Sequence, residues 1–139
     1  MRKITIKEYF DSISHDYKKD KNVLEDILRL TKTRVNQNFK SFDFSYGMEQ
    51  TFFLKAAVES MKARNFFEIG TGRGTASYAV SRIKSVEEIL TVDIISHNQK
   101  KNEAIDYKPA LVSNADLYDL IKFKEKEKIQ FKHTDDYLD

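Results

Sequence analysis

Apolar side chains recur at helical spacing in the first part of the chain and predict helices there. One predicted helix carries Ile6, Tyr9, Phe10, Ile13 and Tyr17 on one face, and a second carries Val23, Leu24, Ile27, Leu28 and Thr31. Asn22 is the predicted N-cap of the second helix, because Glu25 follows it at the spacing of a capping box. We interpret residues 1–47 as a helical N-terminal segment that covers a sheet edge, or alternatively as a lid over a substrate.

From residue 48 onward, helices alternate with short apolar runs typical of buried strands. The predicted helices carry Phe53, Leu54, Ala57, Val58 and Met61, then Ala76, Ala79, Val80 and Ile83, and last Leu117, Leu120 and Ile121 behind a cap at Ser113 or Asn114. The predicted strands are residues 66–69, 88–94 and 129–133. Strands that alternate with helices predict an α/β domain with a parallel sheet, here over residues 48–139.

The first predicted strand leads into the stretch that is most informative about function, residues 66–75. Three of the four glycines of the chain lie here at alternate positions, Gly70, Gly72 and Gly74. Glycine adopts positive φ readily and lets a backbone approach a ligand closely, which suits a tight turn between a strand and a helix. The stretch therefore predicts a ligand site beyond the carboxyl ends of parallel strands, where open α/β sheets bind their ligands.

Composition excludes several other classes of function. The chain has 24 Lys and Arg against 22 Asp and Glu, a balance that indicates neither a nucleic-acid partner nor an anionic membrane surface. It contains no cysteine, which excludes disulfides, thiolate metal ligands and cysteine nucleophiles. The three histidines lack metal-ligand spacing, so no metal site is predicted. No apolar run reaches membrane-spanning length and the N-terminus has no signal-peptide core, so we expect a cytoplasmic protein with no membrane partner.

The residues around the glycines discriminate among the ligand classes that such turns bind. A P-loop for nucleotides needs a lysine and a hydroxyl residue after its last glycine, and no lysine is present between Gly70 and Thr75. A dinucleotide-binding turn has the spacing G-x-G-x-x-G, and Thr75 stands where its third glycine would be. An NAD(P)-binding half therefore remains an alternative with a poor match.

Glu68, Gly70, Gly72 and Gly74 resemble the first motif of class I S-adenosylmethionine-dependent methyltransferases, an acid and three alternating glycines after a strand. Asp93, at the end of the second predicted strand, resembles the ribose-binding acid of that family. The wording F-E-I-G-T-G is similar to that of the small-molecule O-methyltransferase branch.

The resemblance covers about residues 48–136 and implies both a fold and a set of roles. The implied fold is a Rossmann-like parallel sheet with strand order 3-2-1 and helices on both faces. The implied cofactor is S-adenosylmethionine, with Glu68 on its ammonium group, Asp93 on its ribose hydroxyls and Ile94 on the adenine face. Asp135 is placed like the family's acid for the adenine amino group. The implied cofactor-binding residues are Glu68, Gly70, Thr71, Gly72, Gly74, Asp93, Ile94 and Asp135.

The family fold has seven strands, and three of them can be placed in this chain. The remaining part of the family fold carries the substrate contacts and catalytic residues, so no catalytic residue is assigned and the implied methyl acceptor is a small molecule. We expect either the cofactor-binding half of a methyltransferase or a non-catalytic cofactor-binding or assembly module. The first strand would then expose an apolar edge with Phe66, Phe67 and Ile69. This edge predicts a homo-oligomer, and we expect no methyl transfer by the isolated chain.

Overall fold

The computed structural model of the chain describes residues 5–31, 48–99, 113–121 and 124–134. Its helices are α1 (Ile6–Ser12), α2 (Lys21–Thr31), α3 (Met48–Ser60), α4 (Thr75–Ser81) and α5 (Asn114–Ile121). Its strands are β1 (Asn65–Ile69), β2 (Glu88–Asp93) and β3 (Ile129–His133). Short 3₁₀ turns at Tyr17–Asp20 and Lys124–Lys128 precede α2 and β3.

The three strands form one parallel sheet in the order β1-β2-β3, which confirms the predicted α/β class and strand order. Phe66 pairs with Ile89, and Ile89 pairs in turn with Ile129. Helix α4 lies between β1 and β2 in the chain, and α5 lies between β2 and β3. Such crossovers are what parallel neighbours require. The carboxyl ends of all three strands therefore lie at the same end of the sheet.

The two faces of the sheet differ in how much protein covers them. Ile89 and Ile129 lie in a hydrophobic core to which all five described helices contribute. Successive side chains of a strand point to opposite faces. On β1 the face opposite the core carries Phe67 and Ile69, which are 57% and 66% exposed. The helices on a second face that the resemblance implies are not seen in the ranges given above.

The N-terminal helices pack into the same core, but their limits differ from the predicted ones. Helix α1 begins with a capping box between Thr5 and Glu8 and ends before Ser14, which has a φ of +54°. It therefore does not continue to Tyr17, which begins a 3₁₀ turn instead. Helix α2 follows this turn directly, so Asn22 lies inside the helix and is not its N-cap. Residues 32–47, between the second and third helices, lie outside the described residues.

Four ionisable side chains form a cluster where the 3₁₀ turn before α2 meets α3, and we call it the ion cluster (His15, Asp20, Lys55, Glu59). The Nζ of Lys55 lies 2.7 Å from Oδ1 of Asp20 and 3.4 Å from Oε2 of Glu59. The two ring nitrogens of His15 lie 2.8 Å from Asp20 and 3.3 Å from Glu59. The side chains of Asp20 and Lys55 are 5% and 6% exposed. Each buried charge of the cluster therefore has an opposite charge in contact.

Candidate ligand site at the carboxyl ends of the strands

Residues 70–74, the glycine loop, connect the carboxyl end of β1 to the start of α4. The N–H of Gly70 still donates to the carbonyl of Val92 on β2, at 2.8 Å, so the loop leaves the sheet directly after the ladder. Gly70, Gly72 and Gly74 have φ values of +85°, +55° and +74°. This is left-handed backbone, in which a side chain costs about 1–2 kcal/mol per residue. The turn that the sequence predicted here is confirmed.

The glycines of the loop differ in what surrounds them. A Cβ built on Gly70 or Gly72 meets no atom of the described residues within 4 Å. A Cβ on Gly74 would instead lie 2.8 Å from ring carbons of Tyr118 on α5. The Tyr118 hydroxyl also donates to the carbonyl of Gly74. Gly74 is therefore required for packing of the loop against α5, whereas Gly70 and Gly72 leave open space next to the backbone.

Glu68 of β1 lies beside the loop and is held by hydroxyl groups. Its Oε2 accepts hydrogen bonds from Ser77 Oγ on α4 at 2.6 Å and from Thr91 Oγ1 on β2 at 2.9 Å. The Thr91 hydroxyl has one hydrogen, so its 2.7 Å contact with Thr71 Oγ1 must be donated by Thr71. A relay of hydroxyls thus runs from the buried Thr71 through Thr91 to Glu68. None of the described residues donates to Oε1, the second oxygen of Glu68.

Burial raises the pKa of Glu68 above its usual value. The hydroxyls of Ser77 and Thr91 lower this pKa, because they donate to the charged form, but they do not cancel the effect of burial. The negative charge of Asp93 adds to the increase. The ionised form of Glu68 is therefore held at a cost, and a cation placed next to it would relieve that cost.

Asp93 ends β2 and organises the backbone of the site. Its Oδ2 accepts the N–H of Gly72 at 3.0 Å, and its Oδ1 accepts the N–H of Ile95 at 3.0 Å. The second bond closes a turn of the kind that aspartate favours at strand ends. Ile94 between them is 53% exposed, and its carbonyl contacts Nε2 of His133 on β3 at 2.8 Å. Each carboxylate oxygen keeps acceptor capacity beyond these bonds.

Asn114, the first residue of α5, reaches the opposite side of the same glycine. Its Nδ2 donates to the carbonyl of Gly72 at 2.9 Å. The residue is 3% exposed, and its buried Oδ1 has no hydrogen-bond donor among the described residues. Gly72 is thus held at its N–H by Asp93 and at its carbonyl by Asn114.

The predicted site residues are only partly brought together. Glu68 and Thr71 are joined by hydrogen bonds through Thr91, and Gly72 is joined directly to Asp93, while Asp135 lies outside the described residues. No described Lys, Arg or His side chain forms an ion pair with Glu68 or Asp93. In the described ranges, no three His, Asp or Glu side chains meet in a group suited to a metal ion.

Sequence reasoning missed three polar residues of this site. Ser77 and Thr91 stand inside apolar runs and are both fully buried, which is a signal for a buried polar partner. Asn114 was predicted only as a possible helix cap, and nothing in its sequence neighbourhood indicates a contact with Gly72, 42 residues earlier.

Comparisons of the chain with protein-family models, with curated proteins and with solved structures give no significant match. Among the described helices, none has the length and apolar content needed to cross a bilayer.

Proposed function

We propose that this chain binds S-adenosylmethionine at the glycine loop, in the cytoplasm, as part of a methyl transfer to a small-molecule acceptor. One observation carries the proposal. The open backbone at Gly70 and Gly72 lies next to two acidic side chains, Glu68 and Asp93, that no described cation neutralises. Such a site favours a ligand that brings positive charge and hydroxyl groups.

S-adenosylmethionine carries both. Its ammonium group would lie against Glu68, whose Oε1 is not occupied by a described donor, and its ribose hydroxyls would donate to Asp93. The exposed Ile94 would pack on the adenine face. When bound, the ligand supplies a methyl group activated by its sulfonium. The chain itself binds and orients the ligand, and the catalytic residue stays unassigned.

Phosphate-containing ligands fit the same charges less well. The pyrophosphate of NAD would bring negative charge to a loop next to Glu68, a partly buried acid without a described counter-ion. Like charges at short range in a site of low dielectric are repulsive. The acid at the end of β2 is common to both ligand classes, so Glu68 is the residue that separates them.

The test is isothermal titration calorimetry of the chain with S-adenosylhomocysteine and, separately, with NAD. We expect heat of binding with the first and none with the second. Gly72→Val should abolish the binding, since its side chain would enter the open space beside the loop. Its matched control is Val58→Ile, a change in the core of α3 that leaves the loop untouched. Binding of NAD without binding of S-adenosylhomocysteine would overturn the proposal.

A second candidate function, an assembly module, is favoured by the exposed side of β1. Within the described residues β1 has a strand neighbour on one side only, and Phe67 and Ile69 are largely exposed. An unpaired apolar edge is a template for association with another strand. Sedimentation at several concentrations would detect a homo-oligomer, and Ile69→Lys should shift it to monomer. A parent chain that stays monomeric at high concentration would remove this candidate.

A further inference from the structure

Asn114 contacts the glycine loop without belonging to it. The two peptide groups that flank the Cα of Gly72 are each held by one side chain. Asp93 accepts from the N–H at 3.0 Å, and Asn114 donates to the carbonyl at 2.9 Å. Fixing both peptide planes fixes φ and ψ of Gly72, and with them the position of the N–H that binds Asp93.

The start of α5 does not need the Asn114 side chain. The helix is capped by Ser113, whose Oγ accepts the N–H of Asp116 at 3.1 Å, while Asp116 accepts the N–H of Ser113 at 2.9 Å. This reciprocal pair satisfies the N–H groups of Ser113 and Asp116 as a capping box does. The amide of Asn114 is therefore left to act elsewhere, and its described hydrogen bond goes to Gly72.

The burial of the Asn114 side chain has an energetic cost, and the contact with Gly72 gives a reason for this burial. Its Oδ1 is buried, and none of the described residues donates to it. A buried acceptor without a partner is unfavourable, and such a group calls for a reason specific to its place. Only the amide nitrogen can donate to a carbonyl, so the contact with Gly72 also fixes which way the side-chain amide points.

We propose that Asn114 is a positioning residue for ribose recognition. It holds Gly72 so that the carboxylate of Asp93, which is bonded to the same glycine, keeps the orientation in which it accepts the ribose hydroxyls. The inference rests on the proposed function, because it assumes that the ligand is a nucleoside derivative. It adds a residue that acts through Gly72 and does not touch the ligand.

Asn114→Asp is the informative substitution, because it keeps the size of the side chain and removes the donor. A carboxylate facing the carbonyl of Gly72 would repel it and release the loop. The matched control is Asn98→Asp, which adds the same charge at an exposed position one residue after His97, whose carbonyl accepts from Ala115 of α5. Asn114→Ser is the second variant, should the aspartate prevent folding.

The experiment is calorimetric titration of the parent and the variants with adenosine and with 2′-deoxyadenosine. Bonds from a ribose hydroxyl to a carboxylate predict that the parent prefers adenosine by about tenfold to a hundredfold. In Asn114→Asp we expect this preference to fall to about threefold or less, because Oδ2 of Asp93 loses its bond to Gly72 and the carboxylate is held by the N–H of Ile95 alone. A loss of packing alone would lower the melting temperature and leave the ratio between the two nucleosides unchanged.

The outcomes separate the inference from the proposed function. If the parent binds neither nucleoside nor S-adenosylhomocysteine, the proposed function fails and the inference fails with it. If the parent prefers adenosine and the folded Asn114 variants keep the same preference, the proposed function stands and the positioning role is wrong. A preference that falls in the Asn114 variants and not in Asn98→Asp supports the role.

Discussion

The ion cluster and the glycine-loop site both contain buried or partly buried acids. The acids of the ion cluster contact cationic groups, whereas those of the loop site contact neutral donors. Asp20 in the ion cluster contacts the ammonium of Lys55 at 2.7 Å and the ring of His15 at 2.8 Å. Glu68 and Asp93 at the loop are held by hydroxyl and backbone N–H groups, and no described cation pairs with them.

The difference separates acids whose charge is compensated by a cation in contact from acids whose charge no described cation compensates. A cation in contact compensates the desolvation of a buried carboxylate, so the ion cluster is closed within the protein. Neutral donors orient a carboxylate without cancelling its charge. Glu68 is therefore fixed in direction, and no described cation compensates its charge. The proposed contact with the ammonium group of a ligand requires both properties.

The largest expected effect is on the ion cluster. Lys55→Met should lower the free energy of unfolding by about 3–5 kcal/mol, because it leaves Asp20 buried without its ammonium partner. Urea denaturation measures the change, and Lys132→Met at an exposed position of β3 is the control. Binding of S-adenosylhomocysteine to the folded fraction should not change. A loss of stability below about 1 kcal/mol would show that Asp20 does not depend on the ammonium of Lys55 to compensate its charge.

The next largest effect is a difference in stability between substitutions at two glycines of the loop. Gly74→Ala should destabilise the chain by about 2–5 kcal/mol, since its methyl group meets Tyr118 in a backbone of positive φ. Gly72→Ala should cost only about 1–2 kcal/mol, because the space around it is open. Thermal and urea unfolding of the two variants give the comparison directly. Equal losses would contradict the assignment of Gly74 to packing and Gly72 to the ligand side.

Removing one acid from each region in turn tests the comparison through ligand binding. Asp93→Ala should weaken binding of S-adenosylhomocysteine about tenfold to a hundredfold, as expected for the loss of a charge-assisted hydrogen bond. Asp20→Ala should leave binding by the folded chain unchanged while it lowers stability. Calorimetry below the melting temperature of each variant measures both. If Asp93→Ala binds as tightly as the parent, the carboxylate is not the ribose partner.

The smallest effect concerns pH. Burial raises the pKa of Glu68, so the folded chain keeps this proton to higher pH than the unfolded chain does. The protonated form of Glu68 contributes fully to stability below the pKa that Glu68 has in the unfolded chain. This contribution is lost as the pH rises through the pKa that Glu68 has in the folded chain. Glu68→Gln should remove this loss, and it should therefore be more stable than the parent at neutral pH.

Urea midpoints between about pH 4 and 8 measure this effect, with Glu88→Gln at an exposed position as the control. Binding should show the reverse dependence, since the ammonium of the ligand favours the ionised acid. Affinity of the parent for S-adenosylhomocysteine should rise with pH through the pKa of Glu68, and the Gln variant should lack this rise. A parent whose stability and affinity vary with pH as those of Glu68→Gln do would contradict the role of Glu68.

The sequence alone determined those features that depend on local preference. The apolar runs that became β1, β2 and β3 and the glycine turn after β1 were all predicted within one residue of their observed positions. Their signals are local, because strand burial and positive φ restrict which residue types can occupy a position. Glu68 and Asp93 were named as candidates because, at the ends of the first two strands, they resemble the acids of the methyltransferase motif.

Only the tertiary structure decided which of these residues pack against the rest of the protein and which lie beside open space. Gly72 and Gly74 are alike in sequence, and Tyr118, 44 residues after Gly74, distinguishes them. The partner of Asn114 and the counter-ions of Asp20 likewise come from separate elements. A contact of this kind depends on how helices pack onto the sheet, and the residue types at its two ends carry no information about each other until that packing brings them together.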